Sequence, residues 1–133
     1  MAERPTTVWR QGIAEEADEL AAGTLDPECG CMAELFPEHL LTATDAALDA
    51  FERDLVGAGQ MDDVRVLGVV ERVVLALNAV DEAHKGQAFE TDERELLCDY
   101  IDESLTEHGF DVIALTSRHG LGKYQITNKW RKW

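Results

Sequence analysis

The stretch Val64-Arg65-Val66-Leu67-Gly68-Val69-Val70-Glu71-Arg72-Val73-Val74-Leu75-Ala76-Leu77-Asn78-Ala79-Val80 sets the architecture. Val66, Leu67, Val70, Val73, Val74, Leu77 and Val80 recur at steps of three and four, which draws one stripe along a helix. Val69 and Leu75 widen the stripe, so this helix is expected at the centre of the protein. Its valines would also suit a strand. The 3.6 period and a length of about 24 residues, ~36 Å of helix, favour the helix. Asp62 and Asp63 put negative charge at its N-terminus, and His84, Lys85 and Gly86 suit its end. Arg65, Glu71, Arg72 and Asn78 interrupt the run, which falls short of the ~20 apolar residues of a membrane helix.

Working outward, Pro37 opens a preceding helix with Leu41, Thr44, Leu48, Phe51 and Leu55 on one face, ended by Gly57 and Gly59. Ahead of it lies a loop, Gly23 to Phe36, that carries Cys29-Gly30-Cys31. A first helix of about residues 7–22 is drawn by Val8, Trp9, Ile13, Ala17, Leu20 and Ala21, with Gly23 as its stop. On the other side, Thr91 can cap a helix whose buried face is Leu97, Tyr100, Ile101 and Leu105, closed by His108 and Gly109. Val112 to Thr116 and Lys123 to Thr127 are short β-prone runs, which make either a hairpin or an extended tail packed on the helices. The expected fold is all-α: a four-helix antiparallel bundle with a C-terminal appendage. Residues 1–133 form one domain, with 1–6 flexible and 112–133 a basic, aromatic appendage.

The 133 residues include 27 acids against 12 Lys and Arg, a formal charge of −15. Residues 11–111 hold 26 acids and five bases, a net of −21, whereas residues 112–133 hold no acid and five bases. A body of that sign repels phosphates, which disfavours nucleic-acid binding. Three cysteines are too few for a disulfide scaffold, and the N-terminus has no apolar h-region. The expected setting is cytoplasmic, with reduced thiols, no membrane association and no cofactor.

Four groups of residues can carry chemistry. Cys29 and Cys31 can grip a soft metal, completed by His39 or Cys98, or cycle as a dithiol. A structural zinc site normally needs a second ligand pair, and none is visible. Cys98 is expected to be a small buried hydrophobe. The pairs Glu16/Glu19 and Asp49/Glu52 each share a helical face, as do Asp99, Asp102 and Glu103. Four such carboxylates converging from facing helices can hold Mg²⁺ for phosphate chemistry. That arrangement faintly resembles the all-helical nucleotide pyrophosphohydrolases, although in a chain this acidic the pairs also arise as solvated faces. Asp81 and His84 share a face, yet His84 and His108 sit where a helix C-terminus favours capping. In the tail, Trp130 and Trp133 are expected to pin the segment onto the bundle, its cations lying against the acidic body.

Two further stretches carry a resemblance. One runs from Ala76-Leu77-Asn78 through His84-Lys85-Gly86 to Glu90-Thr91-Asp92-Glu93-Arg94-Glu95 and Leu97-Cys98. The other is Thr127-x-x-Trp130-Arg131-x-Trp133. Over about a third of the chain they are similar to an uncharacterised family of small bacterial proteins. The resemblance implies structural landmarks and no activity. The expected function is therefore a non-enzymatic acidic interaction protein, inhibitor- or immunity-like, for a basic protein partner. The alternative is a metal-dependent hydrolase of nucleotides that uses the helical carboxylates.

Overall fold

The computed structural model describes residues 2–26, 36–56, 62–86, 88–122 and 125–133. These form four long helices and a short fifth: α1 (Pro5–Ala22), α2 (Glu38–Val56), α3 (Asp63–Ala83), α4 (Thr91–Glu107) and α5 (Val112–Arg118). There is no strand among the described residues, and no helix there is long and apolar enough to cross a membrane.

Side-chain pairings give the helix directions. Arg72 of α3 bonds Asp54 near the end of α2, while His84 just beyond α3 meets His39 at the start of α2. These two helices are therefore antiparallel. Arg4 reaches Asp49 and Glu52, whereas Arg10 reaches Glu38, so α1 also runs against α2. Glu107, at the end of α4, takes the Ala2 backbone N–H, and Val8 shares a groove with Leu96. Helices α1 and α4 are antiparallel as well.

The core follows the α3 stripe. Val66, Val69, Val70, Val73, Val74 and Leu77 are buried against Leu41, Leu48, Phe51 and Leu55 of α2 and Leu97, Ile101 and Leu105 of α4. Leu75, expected to widen the stripe, is instead about half exposed, one step too far round the helix. Asp62 caps α3 by accepting from the Arg65 N–H at 2.9 Å, as its position predicts. Gly23 ends α1 in the left-handed region at φ 74°, where its N–H and that of Thr24 close on the last-turn carbonyls.

Two expectations are corrected. The segment Val112–Arg118 is a helix, not the first arm of a hairpin. The Asp111 carboxylate accepts from the Ala114 N–H and nucleates it, and Val112, Leu115 and Thr116 are buried at helical spacing. Residues 2–6 are not a loose leader, because Pro5 and Thr6 are buried and α1 begins at Pro5. Helix α1, whose apolar period is as expected, buries only the start of that face. Only Pro5, Thr6 and Trp9 are buried, and the turns from Gln11 to Ala22 lie mostly in solvent.

Trp9 makes α1's main contribution to the core. Its ring stacks on Phe36 at 5.0 Å and lies 6.2 Å from Phe89, which meets Trp133 edge-on at 5.5 Å. One aromatic cluster thus ties together the first helix, the lead into α2, the α3–α4 turn and the C-terminus, each pair adding about 0.5–1.5 kcal/mol beyond area burial.

Candidate functional site

The N-terminal end of the chain is held by charge. Arg4 sits just before α1 and forks onto Glu52 at 3.1 and 2.6 Å, with further contacts to Asp45 and Asp49. Arg10, two turns on, reaches Asp45 at 2.6 Å and Glu38 at 3.3 Å. Thr6 donates to Asp45, and the Tyr100 hydroxyl donates to Glu52. The Arg4 fork holds the Glu52 carboxyl below its ordinary range. Burial alone would raise Asp45, but hydrogen bonds from Thr6 and Arg10 outweigh it, and its carboxyl is also lowered. Burial, reinforced by Glu52, pushes the Tyr100 phenol well above its ordinary value.

This clamp bears on the carboxylate pairs picked out from the sequence. Asp49 and Glu52 face Arg4, while Glu16 and Glu19 lie on the solvent-facing part of α1. The four do not converge, and among the described residues no group of three or more His, Cys, Asp or Glu is placed to hold a metal ion. Cys29 and Cys31 lie outside the described residues. His39 is drawn to His84 instead. The His84 Nδ1–H donates to the Val80 carbonyl at 3.1 Å, leaving its Nε2 as acceptor for the His39 Nε2–H at 2.9 Å. His108 likewise donates to the Ser104 carbonyl at 2.7 Å, so both histidines serve the helix ends as expected. Asp81, expected to share a metal-type face with His84, turns inward and accepts the Ala88 and Phe89 N–H groups that shape the α3–α4 turn.

The C-terminal end is held differently. Asn78, an apparent blemish in the α3 stripe, donates to the Trp130 carbonyl at 2.8 Å and accepts the Lys132 N–H at 3.0 Å. Trp130 and Trp133 are partly buried on the core, as anchors. The tail cations contribute less than expected: Lys132 comes only within 4.0 Å of Glu82, and Arg131 bonds Cys98 Sγ at 3.1 Å. Arg118 and His119 close on Asp63, whose carboxyl the Arg118 hydrogen bond pulls down to about 2.

Two concavities among the described residues are lined by α4 between Arg94 and Glu103. The first lies between α1 and α4 and is lined by Glu3, Pro5, Val8, Leu96, Asp99, Tyr100 and Glu103. Its floor exposes Val8 (38%) and Leu96 (37%), and its rim carries three carboxylates and no base. In the sequence Val8 marks the helical period of α1, and Leu96 lies just outside the buried face that begins at Leu97. Only the incomplete seating of α1 on α4 makes the two neighbours at a surface. The second concavity lies between α4 and the tail and includes Cys98, which is half-buried rather than a core thiol. No family model, curated protein or solved structure matches the chain.

Proposed function

We propose that the protein is a non-enzymatic binding module, inhibitor- or immunity-like, that docks a basic protein partner on the α1–α4 groove. The observation that carries this reading is the combination on one surface of an apolar floor, Val8 and Leu96, with a purely acidic rim, Glu3, Asp99 and Glu103. Exposed apolar side chains ringed by one sign of charge suit a partner that brings an apolar anchor flanked by Lys or Arg. The solvent-facing turns of α1 continue the field: residues 11–26 hold five acids and no base. The carboxylates neutralised internally, Asp45, Asp49 and Glu52, lie on α2, where Arg4 and Arg10 take them, so the rim is a separate set of charges.

The test places a photo-crosslinking residue at Leu96 in cells, with Val64 on α3 as an exposed apolar control. The expected result is an adduct with a basic protein from position 96 that disappears when Glu3, Asp99 and Glu103 are changed together to Gln, Asn and Gln. Equal adducts from positions 64 and 96, or an adduct indifferent to the triple change, would overturn the reading.

A further inference from the structure

The second concavity, between α4 and the tail, adjoins the groove at Asp99 and has a volume of about 250 Å³. That is just below the ~300–1,000 Å³ of sites for drug-sized ligands, and so suits a smaller molecule. The α4 wall is a helical ridge, Arg94, Cys98 and Asp102, spaced by four residues each, with the carboxylates Glu95 and Asp99 beside it. The facing wall is Ile126, Thr127 and Arg131. Two groups on the ridge lack partners. Among the described residues no carboxylate pairs with the half-buried Arg94 guanidinium. At the other end, Asp102 Oδ1 is shielded from solvent and has no hydrogen-bond donor among the described residues. A shielded carboxylate oxygen without a donor is costly, and a ligand that supplies one relieves the cost. Arg131 is already committed, to Cys98 and Asn128, and so serves as wall.

We propose that this cavity binds a small two-ended molecule, an amino- or hydroxy-carboxylate, with its acid group on Arg94 and its amine or hydroxyl donating to Asp102. An Arg fork suits a carboxylate, and a carboxylate acceptor suits an ammonium or hydroxyl. Burial, then the neighbouring Asp99 and Glu103, pushes Asp102 up to about 6, so at pH 7.5 it is ionised and ready to accept. The inference does not rest on the groove reading, although Asp99 lines both concavities.

Cys98, midway along the ridge, supplies the readout. The full-length protein is pulsed with iodoacetamide at pH 7.5, and alkylation of the Cys98 peptide is followed by mass spectrometry. The probes are γ-aminobutyrate, lysine and malate at millimolar concentration, with acetate and methylammonium as one-ended controls. At least one two-ended probe is expected to slow Cys98 alkylation fivefold or more, and the controls to leave it unchanged. Arg94→Ala and Asp102→Asn should each restore the unprotected rate, with a melting curve confirming that each variant is folded. Lack of protection by all three probes would overturn the proposal, as would protection that survives both substitutions. Acetate protecting as well as the two-ended probes would reduce the cavity to an anion site and overturn it too.

Discussion

Both ends of this chain are basic and both fold back on an acidic body, yet different forces hold them. The N-terminal end is an ion-pair device: Arg4 and Arg10 spread over Glu38, Asp45, Asp49 and Glu52. The C-terminal end, with more cations, is fastened by one neutral amide, Asn78, and by aromatic burial of Trp133 against Phe89. Net charge is therefore a poor guide to which end uses charge. What matters is whether carboxylates are presented at the right spacing, as Asp45, Asp49 and Glu52 are on successive turns of α2.

The contrast is open to experiment. Asn78→Ala removes a donor and an acceptor that satisfy two backbone groups of the tail. It should cost about 2–3 kcal/mol in urea unfolding, with the loss unchanged between low and high salt. Arg4→Ala should cost less, about 1–2 kcal/mol, because the clamp is partly solvated and its carboxylates can rehydrate. That loss should shrink as salt rises. Equal salt dependence in the two variants would erase the distinction between the ends.

Acid should separate them further. The Asp45 and Glu52 carboxyls are lowered in the fold, so their stabilisation is present above the unfolded values near 4 and is lost as pH falls through the lower folded ones. Arg4→Ala should flatten that acid limb, and Asn78→Ala should leave it in place. Asp102 has the opposite sign. Its carboxyl is raised from 3.8 to about 6, so the folded state holds its proton longer and stability falls as pH rises through that window. Asp102→Asn should therefore stabilise the protein at pH 7.5 by about 1 kcal/mol, a value discounted for partial exposure, and have almost no effect below pH 4. The smallest effect is expected from Arg118→Ala. Its pair with Asp63 is exposed, and thermal melting should barely register the loss.

Much of the fold was legible in the sequence because α2, α3 and α4 bury regular stripes. The 3.6 period of Leu41 to Leu55 and of Val66 to Leu77 is the direct imprint of a face removed from water. The period says less in α1, where Ala17 and Leu20 repeat helically yet are exposed and Ile13 is only partly buried. Periodicity reports helix phase, not the presence of a neighbour. At residues 112–116 the β-branched composition hid a seven-residue helix whose capping Asp111 was the available signal.

The site residues were less legible. The tail anchors Trp130 and Trp133 stood out as aromatics in a polar segment, whereas Asn78 looked like an interruption, because a buried amide declares its purpose only once its partners are in place. The same holds for the groove. Leu96 and Val8 are 88 positions apart in the chain. No local pattern connects them, and the acids of the rim were indistinguishable from the other carboxylates until α1 was laid along α4.

The proposed role rests on a field that steers a cationic partner to the groove. The most direct check is the association rate of the partner captured from position 96, measured from low to high ionic strength. The rate should fall steeply with salt, and the Glu3→Gln, Asp99→Asn, Glu103→Gln triple variant should associate slowly with little salt dependence. A rate for the unaltered protein that does not change with salt would contradict it.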